Sequence, residues 1–224
     1  MLENIGILCI KGKKVDIDMF ENKTWHSVTG AEMIGFIQQV NPIDDRHALS
    51  PSTTKISWCA LPFYETIALI RIEDKTWAQP GLKIYYLAHQ GQLSRLNGTS
   101  PPIHEVNIIA PIKLNDDNVL DYLRFFCFFV RAEGGPFLIV EDMNNPYIPQ
   151  NLGSSNMAIL EQTARPASLN GKDAEGQWLA DAVVYYANNV FLANFAIPPN
   201  GMIDMLDEDE VISDLPAMVS APII

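Results

Sequence analysis

The side chains best suited to chemistry are scattered, and their spacing limits what they can do. His26, His47, His89 and His104 show neither HxH nor HxxxH spacing, so they do not read as a metal centre. His104 stands next to Glu105, a pair of types suited to general acid–base work. On the strand expected there, however, adjacent side chains point to opposite faces and would not converge on one substrate. His89 would share a face with Tyr85 and Leu87, a setting that suits packing. Asp16 and Asp18 share a strand face and have the types of a glycosidase pair, but Lys14 beside them marks that face as wet. Glycoside chemistry needs one carboxylate whose pKa is raised by burial.

The glycines form no phosphate cradle: GxxxxGKS, GxxxxGKT and GxGxxG are absent, as is the GxSxG elbow of a serine hydrolase. The acidic run from Asp204 to Glu210 lacks the DxDxDG register of a calcium loop. Cys9, Cys59 and Cys127 include no CxxC. Cys9 and Cys127 sit in apolar runs and read as small buried hydrophobes, a usage that suits a reducing compartment. The sequence therefore implies no metal and no cofactor.

Two places remain as candidate binding residues. Arg131 and Glu133 fall at the expected end of a helix, next to Gly134-Gly135, where bare backbone could approach a ligand. The loop from Met143 to Asn156, rich in Asn and Pro, begins one short strand later and could fold over that point. The second place is Asp207, Glu208, Asp209 and Glu210. The formal charge of −12 is lopsided: from Asp173 to Ile224 there are nine acidic residues and no Lys or Arg, whereas the preceding 172 residues hold all 15 basic ones. A field of this sign repels phosphate backbones and argues against nucleic acid; it favours a basic partner surface, or serves solubility.

The elements that must position these residues are readable from periodicity. Val15, Ile17 and Met19 alternate with Lys14, Asp16 and Asp18, predicting a half-buried strand that forms a hairpin with Ile5–Ile10. Thr29 and Glu32 have the spacing of a capping box, and Met33, Ile34, Phe36, Ile37 and Val40 follow at helical spacing, predicting a helix over 29–40 that Asn41-Pro42 ends. Strands are expected over Ile56–Asp74 with a break at Pro62, over Lys83–Gln90 and Gln92–Leu96, and over Ile103–Leu114. The run from Asp117 to Glu133 has a thin polar stripe and four phenylalanines, predicting a helix enclosed on most sides, with an Asp121–Arg124 ion pair and a stop at Gly134-Gly135-Pro136. Phe137–Glu141 reads as a buried strand, Met157–Thr163 as a strand and Arg165–Gly176 as loop. A three-strand meander closes the chain: Gln177–Tyr186, a second strand through Phe191 and Ile197, and Met202–Leu206 after the turn Pro199-Asn200-Gly201.

These readings predict an α+β fold, a mainly antiparallel twisted sheet packed on the helix at 117–133, in one domain of residues 1–224 with 143–156 as the point of subdivision. No apolar run reaches the roughly 20 residues a membrane-crossing helix needs, and Met1–Ile5 lacks the start of a signal peptide, so a cytoplasmic protein is expected. The apolar stretch Pro216–Ile224, or an exposed strand edge, would suit a homodimer. The function expected is non-catalytic binding of a basic protein through the acidic C-terminal region. The alternative is a small-molecule enzyme with its pocket at Arg131, Glu133 and the 143–156 loop, using His89 or His104.

Overall fold

Strands with apolar side chains on both faces must be covered on both sides. The first sheet of the computed structural model, which describes residues 20, 23–42, 47–79, 81–145, 148 and 152–215, is of this kind. It runs β1 (His26–Val28), β2 (Thr54–Ala60), β3 (Ala68–Asp74), β4 (Ile84–His89), β5 (Gln92–Arg95), every neighbour antiparallel. Ile56, Ile70, Ile72, Ile84 and Tyr86 point to one core, while Cys59, Leu69, Tyr85 and Leu87 point to the other. Helix α1 (Gly30–Val40) covers the first core with Ile37 and Val40, and Met33 and Phe36 pack at its margin. Its position is the one expected, although Thr29 makes no side-chain cap bond. The connection that follows is tied at its ends by Asn41, which donates from Nδ2 to the Leu49 carbonyl at 3.0 Å and accepts from the Leu49 amide at 2.8 Å.

The second core belongs to α2 (Pro101–Ile109) and α3 (Val119–Phe129). Helix α3 is the buried helix of the sequence reading, shorter than 117–133 at both ends. Phe125, Phe128 and Phe129 are buried, and Phe129 meets Tyr85 of the first sheet edge-on at 5.1 Å. The Asp121–Arg124 pair forms at 3.3 Å. Arg124 also reaches Glu141 at 2.7 Å, and Glu141 accepts from the Ala167 amide at 3.2 Å, so this pair ties α3 to two later segments. Asp116 does not cap the helix; it accepts from Trp178 Nε1 at 2.6 Å.

The second sheet shares this core with α3, which packs on β8 (Leu138–Ile139). After the miniature pair β6 (Arg131–Ala132) and β7 (Gly135–Pro136), and helix α4 (Ser154–Thr163), come β9 (Ser168–Lys172), β10 (Trp178–Tyr186), β11 (Asn189–Ile197) and β12 (Asp204–Ile212). The order is β12-β11-β10-β8, with β9 pairing β10 beside β8, all antiparallel. The chain is thus α+β with antiparallel sheets, as the sequence predicts, but α3 packs against two five-stranded sheets instead of one.

Four local expectations need correction. Ile103–Leu114 is not extended: α2 begins with Pro101 and Pro102, whose missing amide hydrogens cost nothing in a first turn, and it buries Ile103, Val106 and Asn107 at helical spacing. His104 and Glu105 are therefore on a helix. Met157–Thr163 lies in α4, whose one buried residue, Leu160, gives no apolar stripe to read. Ser168–Lys172 is a strand, held through backbone pairing to β10. Gly134-Gly135-Pro136 does not stop α3, which ends at Val130 in extended conformation; the glycines shape the β6–β7 turn instead. The hairpin expected over Ile5–Met19, with Asp16 and Asp18, lies outside the described residues, as do Cys9 and the 216–224 stretch. Among the described residues no helix is long and apolar enough to cross a membrane.

Candidate functional site

The acidic run lies along β12, the terminal strand of its sheet, and seven successive residues from Asp204 to Glu210 are exposed. Register decides where each carboxylate goes, because residues opposite each other on antiparallel strands share a face. Glu208 opposes Ala193 and Glu210 opposes Phe191, while Asp207 opposes Asn194 and Asp209 opposes Leu192. The four candidate residues therefore divide into two faces. Asp207 continues a polar row of Ser168, Asp181 and Asn194 across four strands. Glu208 and Glu210 share their face with Val184, Phe191 and Ala193. Two bulges, at the Val190/Phe191 and Asn194/Phe195 steps, bend β12 against β11. Charges and bulges are also what keep a free sheet edge from pairing with another copy.

The Glu208 face holds a cavity of about 110 Å³ lined by Phe137, Val184, Tyr186, Phe191, Met205 and Glu208. Phe137 stacks on Tyr186 at 4.5 Å with the rings 15° from parallel. Tyr186 is fixed in turn, its hydroxyl accepting from the Gly134 amide at 2.9 Å. A side chain at Gly134 would collide with that ring and with Ala187, which explains the glycine. Glu210 accepts from Asn189 Nδ2 at 2.9 Å. No hydrogen bond or ion pair among the described residues engages the Glu208 carboxylate.

The turn before β12 is held from inside. Asn107 of α2 donates to the Tyr122 hydroxyl at 3.1 Å and to the Asn200 carbonyl at 3.2 Å, and accepts from the Tyr64 hydroxyl at 2.5 Å. Tyr122 of α3 donates to the Gly201 carbonyl at 2.7 Å. Burial pushes the pKa of both phenols up, so they remain hydrogen-bond donors. Gly201 adopts φ +77°, and a Cβ there would fall 2.6 Å from the Tyr122 oxygen, so the position admits only glycine.

The other expected residues do not assemble. Arg131 lies in β6 beyond the helix, half-buried, its amide bonded to the Gly98 carbonyl at 2.8 Å and its side chain running close beside Gly98. Burial pulls its pKa down. Glu133 is exposed in the β6–β7 turn. The 143–156 segment is described only in part. His104 packs near Phe126, and burial pulls its pKa down, favouring the neutral ring. His89 is near Thr66, at 3.3 Å from its hydroxyl. Cys59 and Cys127 are buried, and burial pushes the Cys127 thiol up to about 12, far from a reactive thiolate. Among the described residues no three His, Cys, Asp or Glu side chains converge as a metal site.

Comparison with known proteins finds no matching family model, no matching curated protein and no matching solved structure.

Sequence reasoning located the acidic run but missed the cavity beside it. Its alternation Trp178–Tyr186 and Phe191–Ile197 was visible, yet the wall that closes it, Phe137, comes from the link between β7 and β8, far earlier in the chain.

Proposed function

We propose that this is a non-catalytic binding protein whose β12 edge meets a basic protein partner. The observation that carries this reading is the exposure of Asp204–Glu210 along the terminal strand of a sheet, in a chain whose last 52 residues contain no Lys or Arg. Exposed carboxylates held on a rigid strand create a field that steers a cationic surface and sets its orientation, an effect screened by salt. The internal clamp on the β11–β12 turn supports this role, because a pre-positioned edge loses little entropy on binding.

The test is native mass spectrometry on protein purified gently from its own host, at low and at raised ionic strength. A basic protein should be retained at low salt and released at high salt. The quadruple variant Asp207→Asn, Glu208→Gln, Asp209→Asn, Glu210→Gln should release it at low salt as well. A partner held equally under all three conditions would sink the reading.

A further inference from the structure

The proposed binding role leaves unspecified which group of a basic partner the β12 edge holds. Resting on that reading, we infer that the cavity beside Glu208 receives one arginine side chain of an extended partner segment. Size comes first: about 110 Å³ is far below the ~300–1,000 Å³ of sites that enclose a cofactor or drug-sized ligand. The occupant is a single side chain. The walls come second. Phe137 and Tyr186 form a stacked aromatic pair, and Val184, Phe191 and Met205 complete an apolar lining suited to the methylene stem of a long cationic residue.

Charge then selects among such residues. The one carboxylate in the lining, Glu208, has no partner among the described residues, and no basic side chain lines the cavity. A neutral apolar anchor would cover Glu208 and leave its charge unpaired, which is costly. Lysine would match the charge and can sit over a ring, as Lys172 does over Trp178, but its point charge offers no plane to stack and no two-pronged pairing. The planar guanidinium stacks on rings and pairs with a carboxylate through two parallel hydrogen bonds. Asp204–Glu210 are exposed on the outermost strand of the sheet among the described residues, so an extended segment can lie along them with its arginine turned onto the Glu208 face.

The experiment is an NMR titration of the full chain with a capped Ala-Val-Arg-Val-Ala peptide and with its lysine and citrulline counterparts. The arginine peptide should shift the resonances of Tyr186, Phe191, Met205 and Glu208, bind more tightly than the lysine peptide, and outcompete citrulline, which should not bind. Glu208→Gln should weaken binding about tenfold, the loss of one charge-assisted pair. Asp207→Asn with Asp209→Asn, on the opposite face, should change it less than about twofold, the residue of a screened field. Met205→Trp, at the exposed rim, should close the cavity and abolish binding in a chain that stays folded.

If the two faces matter equally and arginine and lysine bind alike, charge alone is at work: the arginine site is overturned and the acidic binding role stands. If no peptide binds at low salt and the quadruple variant changes nothing in mass spectrometry, both fall. Contacts between residues 216–224 and Phe191 in the peptide-free chain would assign the cavity to the chain itself and overturn the arginine site.

Discussion

The two five-stranded sheets share antiparallel pairing and treat charge in opposite ways. In the first, Asp74 and Arg71 are drawn inside and given partners. Asp74 at the end of β3 is 8% exposed and accepts from the hydroxyls of Thr53, Thr54 and Thr76 and from the Thr76 amide, at 2.6–2.8 Å. Arg71 is buried with its guanidinium 4.1 Å from the Trp25 ring centre and 3.4 Å from Glu73. In the second sheet the charge stands on the outermost strand, mostly in water. A buried charge with designed partners fixes local geometry, whereas exposed charge on a rigid edge leaves geometry alone and acts at a distance. The first arrangement should matter for folding and the second for encounter.

The largest effect should come from the element the sheets share. Phe129→Ala removes a buried ring that faces the first sheet from α3, and should cost about 3–5 kcal/mol. Urea unfolding followed by fluorescence and by circular dichroism should still give one coincident transition, because both sheets bury residues in the core that α3 fills. Two separate transitions would break the comparison by showing that the sheets unfold independently.

Next is Asp74→Ala, which strips three threonines of their acceptor and should cost about 2–3 kcal/mol. Burial alone would raise the Asp74 pKa, but the hydrogen bonds from Thr54, Thr76 and Thr53 outweigh it and hold the carboxyl at about 2. A depressed carboxylate contributes stability that is complete above its unfolded pKa and lost as pH falls through its folded one. Wild-type protein should therefore lose this contribution between about pH 4 and pH 2. The variant should lack that component in an acid titration of stability.

The smallest stability effect should follow neutralisation of Asp207, Glu208, Asp209 and Glu210 together, within about 0.5 kcal/mol per site and of either sign. Self-association by light scattering should rise instead, as the edge loses its charge. A collapse of stability in this variant would mean that β12 is structural in the way β3 is, and the contrast between the sheets would fail.

How much of this was legible depended on where the physical cause lay. Helix α3 was readable because its apolar residues leave only a thin polar stripe, a property of the segment itself. The α1 and β10–β11 patterns were readable for the same reason. Helix α2 was not, since a Pro-Pro pair marks the end of one element and the start of a helix with the same letters. Helix α4 has one buried residue, and β9 is Ser-Leu-Asn-Gly-Lys, held by backbone bonds to a neighbour that no local pattern announces. Of the candidate site, the acidic residues could be named in advance. Their division between two faces could not, because it follows from a register that two bulges reset.

The position of α3 has one more consequence. A chain cut within 143–156 would yield an upstream fragment ending in α3 and the short strands β6 to β8, with the surface that receives β10 laid bare. The downstream fragment would carry α4 and β9 to β12 with the matching apolar surface. Neither could hide its hydrophobic side alone, and each would be the other's natural cover. The two pieces, produced together, should reassemble without a covalent link, making this connection the place to split the protein into complementing halves.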